Sequence, residues 1–132
     1  MAEPEVEPEF SDSELNTESN FAIEKKIALV IGLNYPGTKN ALRGCCNDAK
    51  NVAKFIGDKG YEVIKITDES DSLCVPTRNN ILFYIQKLIH RCQTENIVKV
   101  WISFSGHGYY VRDVDHDEVD GRDEVIITSD SY

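Results

Sequence analysis

The chain of 132 residues has the length of one ordinary domain, and 41% hydrophobic residues is typical of a globular protein. With 23 acidic and 14 basic residues the formal charge is −9. This charge excludes sequence-independent binding of nucleic acid, because phosphate binding needs a basic face. No apolar run of about 18 residues and no secretory signal is visible, so we expect no membrane contact and a cytoplasmic protein.

The first 22 residues carry seven acidic side chains and neither Lys nor Arg. Such a stretch has too few apolar residues to offset the entropy that ordering costs. We therefore predict a disordered acidic tail over 1–22 and a globular domain over 23–132.

Strand and helix patterns alternate after the tail. The apolar run at 26–33 predicts a strand that is buried on both faces. Asn47 or Asp48 is the expected N-cap of a helix that continues to about Gly57. Residues 61–67 alternate between polar and apolar and predict a second strand.

The second half of the pattern adds one more helix and three strands. Thr77 is the expected cap of a second helix, and a third buried strand is predicted over 99–103, preceded by Ile97. Strands joined by helices indicate an α/β fold with a mainly parallel sheet, whereas 109–112 and 124–128 indicate a β-hairpin. The second helix has an apolar stripe made of Ile81, Leu82, Ile85, Leu88, Ile89 and Cys92.

His107 lies between two glycines just after the third predicted strand. Catalytic and binding groups in parallel sheets cluster at the carboxyl ends of strands, and an imidazole can move protons near neutral pH. The residues alone leave a catalytic histidine and a structural turn histidine equally open. His90 and His116 are expected to be solvated.

The four cysteines are expected to be free thiols, because no spacing typical of a zinc site or a redox pair is present. Cys45 and Cys46 precede the first predicted helix, where the helix dipole favours a thiolate, so both are candidate nucleophiles. Cys92 is expected in the core, and Cys74 lies in a loop without a helper group.

The loop at 113–124 holds seven carboxylates in twelve residues. Its spacing resembles an EF-hand only superficially, since Glu118 stands where that loop needs glycine. A calcium site of another geometry and a solvated, self-repelling loop both remain open. No glycine-rich phosphate-binding motif is present, so we expect no nucleotide.

Five stretches occur in an order that is typical of one protein family. They are ALVIGLNYPG (28–37), ALRGCCNDA (41–49), PTRNNI (76–81), FSGHG (104–108) and DEVDGRDEVI (117–126). On these stretches the chain resembles the N-terminal, large-subunit portion of a metacaspase, within the caspase-like cysteine peptidases.

The resemblance implies a caspase-like three-layer α/β sandwich, incomplete in this chain, and proteolysis by a Cys–His dyad. His107 would be the base and acid of the dyad, and the backbone amide of Gly108 would contribute to the oxyanion hole. The pocket for an Arg or Lys side chain of the substrate would be lined by Cys45, Asp48 and Ser105. This role makes Cys45 a pocket residue rather than the nucleophile.

The resemblance also implies calcium, with Asp123 as the best candidate ligand and Asp120 and Asp117 as further ones. The nucleophilic cysteine of such enzymes follows the histidine by about 50 residues. We therefore expect the nucleophile and the small-subunit half to be missing from this truncated chain, which alone would be inactive. The expected partners are basic peptides or proteins, and the missing half or a complete homologue.

Two other functions stay open. A non-catalytic caspase-like module would bind calcium or pair with a complete homologue. An unrelated receiver-like binding domain fits less well, because no acidic cluster follows the first predicted strand.

Overall fold

The computed structural model describes residues 23–132, so the tail predicted for 1–22 lies outside the described residues. No helix in this part of the chain is long and apolar enough to cross a membrane. The predicted order of strands and helices is confirmed. The elements are β1 (Lys25–Gly32), α1 (Cys45–Gly57), β2 (Tyr61–Thr67), α2 (Arg78–Thr94), β3 (Ile97–Ser105), β4 (Gly108–Arg112), β5 (Arg122–Ile126) and a short 3₁₀ helix (Ser129–Ser131).

A parallel three-stranded sheet in the order β2-β1-β3 forms the middle layer. Because side chains alternate along β1, Leu29 and Ile31 pack with Leu88 of α2, whereas Ala28 and Val30 pack with α1 on the opposite face. The buried central strand and the layered α/β fold, with one helix on each face, are thereby confirmed. β4 and β5 pair separately as an antiparallel hairpin.

The predicted start of α1 is wrong, because the helix begins at Cys45, ahead of Asn47 and Asp48. No side chain of the helix itself caps it. Instead Asn34, in the turn after β1, accepts the backbone N–H groups of Cys45 (2.9 Å) and Cys46 (3.3 Å) on its Oδ1. A cap supplied from 11 residues earlier does not produce the usual N-cap pattern next to the helix.

The cap of α2 is confirmed, since Thr77 Oγ1 accepts the N–H of Asn80 at 3.2 Å. The predicted apolar stripe is only partly right. Ile81 and Leu88 are buried, and Ile85 packs against the same core cluster. A sheet of three strands is too narrow to cover the whole stripe. The other members of the stripe are exposed: Leu82, Ile89 and Cys92.

β3 was predicted to be a buried strand, but it forms one edge of the sheet in the described part of the chain. Its apolar side chains are 43–54% exposed at Val98, Val100 and Ile102. The strand pairs with β1 on one side only, so its outer edge and part of its face remain open. The hairpin strand predicted at 124–128 lies two residues earlier, at Arg122–Ile126.

Candidate active site

His107 lies at the carboxyl edge of the sheet, two residues beyond the end of β3. Its side chain is half-buried, and its Nε2 lies 2.8 Å from the carbonyl oxygen of Asn40. A carbonyl can only accept a hydrogen bond, so a neutral imidazole in this position carries its proton on Nε2. The lone pair is then on Nδ1, which can accept a proton.

The backbone and the ring of His107 are both held by neighbours. The N–H of His107 donates to the Tyr35 hydroxyl at 2.9 Å, and the N–H of Ile127 donates to the carbonyl of His107 at 3.0 Å. The Tyr35 ring stacks on the imidazole with centroids 5.0 Å apart and planes at 28°. Tyr132 approaches the imidazole edge-on at 6.1 Å.

The hairpin register determines the direction of the Gly108 amide. Gly108 is opposite Ile126, and the preceding residues His107 and Ile127 are joined by a hydrogen bond. Hydrogen-bonded and non-hydrogen-bonded pairs alternate along an antiparallel ladder. The N–H of Gly108 therefore points away from β5, to the side of β4 that pairs with no strand among residues 23–132. In this position next to His107 it can donate to an anionic oxygen.

The three residues assigned to a substrate pocket lie around the end of β1. Gly32 pairs with Ser105, and α1 begins against Gly32 so closely that an added Cβ there would come within 2.5 Å of the Cys45 carbonyl oxygen. Asp48 follows Cys45 by three residues on the first turn of α1, and its carboxylate is exposed. The arrangement places one carboxylate, one thiol and one hydroxyl near the carboxyl edge of the sheet.

All four cysteines are free thiols, as predicted. The expected thiolate at the start of α1 is wrong. Burial and a hydrogen bond from the Cys46 thiol to Asp68 Oδ1 (3.1 Å) raise the pKa of Cys46 to about 12. Burial and the charge of Asp48 raise the pKa of Cys45. The expected core position of Cys92 is also wrong, because this residue is exposed on α2.

The loop between β4 and β5 brings four carboxylates together. Oxygen atoms of Asp113, Asp115, Asp117 and Asp123 lie within 4.8 Å of one another, so these groups could hold a metal ion. Asp120, named with Asp117 and Asp123 on the resemblance, is outside this set and accepts the backbone N–H of Arg122.

The four carboxylates differ in burial, and the pKa shifts of Asp113, Asp115 and Asp123 differ in direction. Asp113 is buried, and hydrogen bonds from backbone amides, first that of Glu118, lower its pKa. A hydrogen bond with Asp113 raises the pKa of Asp115, while burial and the neighbouring carboxylates raise the pKa of Asp123. His116 in this loop and His90 on α2 are exposed, as predicted.

Several residues of the site have no role in the sequence prediction. Asn34 and Tyr35 lie in the matching stretch 28–37 but were given no role of their own, and Asn40 contributes a backbone carbonyl that carries no sequence signal. Asp68 accepts the N–H groups of Asn34 (3.0 Å) and Tyr35 (2.8 Å) and the Cys46 thiol. Its position directly after β2, at the edge where ligands bind, was a usable signal.

Comparisons with known proteins agree on one family. The family model described as metacaspase, peptidase C14 domain, matches residues 25–132. Metacaspase-1 of Saccharomyces cerevisiae is 41% identical over 111 residues, which are 80% of this chain and 25% of that protein. Metacaspase-1 of Yarrowia lipolytica is 44% identical over 111 residues, which are 80% of this chain and 24% of that protein. The chain thus spans about a quarter of the length of these relatives.

A solved structure supports the fold. The crystal structure of protein GSU0716 from Geobacter sulfurreducens superposes with a TM-score of 0.57 at 29% sequence identity. The match covers 79% of this chain and 39% of that one.

Proposed function

This chain belongs to the metacaspases, a family of peptidase C14 domains, and from this premise we propose that the protein is a cysteine endopeptidase that cleaves after Arg or Lys. His107 is the base and acid of its Cys–His dyad. The observation that carries the proposal is the contact of His107 Nε2 with the Asn40 carbonyl, which leaves Nδ1 as the proton acceptor.

The reaction proceeds by two acyl transfers. The cysteine thiol gives its proton to His107 Nδ1 while sulfur bonds to the scissile carbonyl carbon, and the negative charge moves to oxygen, where the Gly108 N–H donates. Collapse of this intermediate breaks the C–N bond, and the amine leaves with the proton from His107. Water then attacks the thioester, gives a proton to His107, and the proton returns to sulfur as the acid leaves.

The nucleophile is proposed to come from outside these 132 residues. Three of the four cysteines in the chain have a pKa raised by burial: Cys45, Cys46 and Cys74. This is opposite to the activation that a catalytic thiol needs. We expect the isolated chain to show no turnover.

The outer edge of β3, which no strand of residues 23–132 pairs with, supports the proposal that a partner chain binds here. Val98, Val100 and Ile102 are exposed on one face of the same strand, and an unpaired strand edge favours pairing with a further strand. The partner would be the small-subunit half or a complete homologue.

The preference for a basic residue follows from the charge of the pocket. Asp48 lies beside Cys45 at the carboxyl edge of the sheet, where its carboxylate attracts a cationic side chain and repels an anionic one. Asp48→Asn should lower kcat/KM for Arg and Lys reporters by about tenfold, the effect of one weakened charge pair. Asp58→Asn, at the exposed C-terminal end of α1, is the matched control.

Calcium is proposed as a ligand of the acidic loop. Asp113, Asp115, Asp117 and Asp123 fit a hard cation, because clustered carboxylate oxygens are what Ca²⁺ prefers. The ion would supply positive charge that offsets their repulsion and fixes the loop beside β4. Calorimetric titration of the chain with Ca²⁺ tests the site. Asp123→Asn should weaken binding, whereas Asp71→Asn, in the loop after β2, should not.

The test of the function uses the protein isolated from its own cells. Its intact mass should exceed the 14.9 kDa of this chain, and with Ca²⁺ it should cleave Arg- and Lys-terminated peptide reporters but not Asp-terminated ones. A preference for Asp would contradict the proposed pocket. Absence of turnover together with Ca²⁺ binding would favour the alternative, a non-catalytic caspase-like module.

A further inference from the structure

The hydroxyl of Tyr35 lies between two backbone groups, the His107 N–H and the Ile127 carbonyl, which would normally bond to each other directly in an antiparallel hairpin. His107 and Ile127 would form the next pair of the β4–β5 hairpin, and one of their two hydrogen bonds is direct, from Ile127 N–H to the His107 carbonyl at 3.0 Å. The other is relayed. His107 N–H donates to the Tyr35 hydroxyl (2.9 Å), which donates to the Ile127 carbonyl (2.7 Å).

The same side chain also contacts the imidazole. The Tyr35 ring is 3% exposed and lies 5.0 Å from the His107 ring in a stacked arrangement. One residue therefore fixes the backbone N–H and one face of the imidazole at once. The hydrogen bond of the ring, from Nε2 to the Asn40 carbonyl at 2.8 Å, depends on the plane in which the imidazole is held.

The backbone of Tyr35 is itself held in an uncommon conformation. Its φ of 52° is in the left-handed region, which non-glycine residues rarely adopt. The carboxylate of Asp68 accepts its N–H at 2.8 Å. Burial raises the pKa of the Tyr35 phenol, so the hydroxyl stays neutral and keeps its proton for the Ile127 carbonyl.

The glycine before His107 makes room for this contact. A Cβ built on Gly106 would lie 2.7 Å from the Tyr35 hydroxyl oxygen and 2.8 Å from Phe104 Cζ. Both distances are shorter than non-bonded atoms tolerate, so a side chain at 106 would displace the hydroxyl or the loop. The absence of a side chain at Gly106 therefore leaves the space that the Tyr35 hydroxyl occupies between β3 and β4.

We infer that Tyr35 is a positioning residue for His107: its hydroxyl, inserted between His107 and Ile127, and its stacked ring hold the imidazole with Nε2–H on the Asn40 carbonyl and Nδ1 free. The inference rests on the proposed function insofar as His107 is the base. The geometric part, that Tyr35 selects the tautomer and orientation, holds for the chain by itself.

The test reads the imidazole directly in the 132-residue chain. Long-range ¹H–¹⁵N correlation with ¹⁵N-labelled histidine, at about pH 8.5 where free imidazole is neutral, reports the tautomer and the exchange of the Nε2 proton. The exposed His90 and His116 serve as internal references. Wild type should show His107 with its proton on Nε2 and slow exchange.

Tyr35→Phe keeps the ring and removes the hydroxyl. It should accelerate exchange of the His107 Nε2 proton by at least about tenfold, the effect of one lost hydrogen bond, and reduce the Nε2–H population. Tyr84→Phe is the matched control, because Tyr84 packs against the core and its hydroxyl has no hydrogen-bond partner among the described residues. Unchanged exchange in a folded Tyr35→Phe chain overturns the inference.

A second variant covers the case in which Tyr35→Phe does not fold. Gly106→Ala keeps the tyrosine at position 35 but displaces its hydroxyl or the loop, so it should also accelerate the exchange. A folded Gly106→Ala chain with wild-type exchange overturns the inference.

A kinetic measurement separates the inference from the proposed function. In the protein isolated from its own cells, Tyr35→Phe should lower kcat on a basic reporter by about tenfold to a hundredfold and leave KM unchanged, because misplacing a catalytic group costs rate rather than binding. If wild type has no peptidase turnover but the tautomer shifts as expected, the proposed function fails and the positioning role stands. If wild type turns over but Tyr35→Phe keeps both kcat and the tautomer, the positioning role fails alone.

Discussion

Replacement of Asp68 by alanine should destabilise the chain by about 3 kcal/mol, because this carboxylate accepts two backbone amides and a thiol. Its Oδ2 accepts the N–H of Tyr35 at 2.8 Å, and both oxygens lie 3.0 Å from the N–H of Asn34. A hydrogen bond to a charged group contributes about 1.5–3 kcal/mol to the free energy of unfolding. We use about 1.5 kcal/mol for each of the two amides, because Asp68 is only half-buried. The bond from Cys46 adds little, since a thiol is a weak donor.

The assay is urea unfolding, followed by circular dichroism, of wild type and three variants. Asp68→Asn retains an acceptor oxygen and should cost about half as much as Asp68→Ala. Asp58→Ala, whose ion pair with Lys54 joins side chains that are 71% and 80% exposed, should change the free energy of unfolding by less than about 0.5 kcal/mol. A loss below about 1 kcal/mol for Asp68→Ala would refute the assigned role of this carboxylate.

Thiol chemistry gives the same variant an independent readout. The pKa of Cys46 is about 12 because of burial first and the hydrogen bond to Asp68 second. Asp68→Ala should therefore lower the Cys46 pKa and speed its alkylation at pH 9 in native conditions. An unchanged rate would show that burial alone keeps this thiol unreactive.

The remaining expectations concern stability and accessibility. Thr77→Ala removes the cap of α2 and should lower the free energy of unfolding by about 1 kcal/mol, measured in urea. Hydrogen bonds from Arg91 lower the pKa of Glu95 from 4.5 to about 2, so the contribution of this carboxylate to the free energy of unfolding should be fully present well above pH 4.5. It should fall by about 3 kcal/mol as the pH drops towards 2, a slope that Glu95→Gln flattens. A thiol reagent should modify the exposed Cys92 of the native chain first and the buried Cys46 last, as mass spectrometry of timed samples would show.

The layered fold was predictable because its signal is local and periodic. The alternation around Ile64 has the period of two residues that indicates a strand, and the short apolar run around Leu29 is typical of a strand that is buried on both faces. Strands and helices that alternate along the chain leave few possible topologies. The edge position of β3 could not be predicted in this way. An apolar strand such as the one around Val100 has the same pattern whether or not a further strand covers it.

The candidate site also has a part that local sequence predicts and a part that depends on contacts between distant residues. His107 was placed correctly by its position after β3, a local feature. The contacts that define its chemistry join segments far apart in the sequence: Tyr35 and Asn40 are 72 and 67 residues away, and one of them contributes only a backbone carbonyl. The start of α1 was missed because its cap is the side chain of Asn34, 11 residues before Cys45, rather than a residue next to the helix.

The most direct test of the account is peptidase turnover by the protein isolated from its own cells, comparing wild type with His107→Ala and with His90→Ala. His90 is exposed on α2 and makes a matched control. We expect His107→Ala to lower kcat on an Arg-terminated reporter by about a hundredfold or more, the usual contribution of general acid–base catalysis, and His90→Ala to leave kcat unchanged. Turnover by His107→Ala within about tenfold of wild type would contradict the assignment of His107 as the catalytic base.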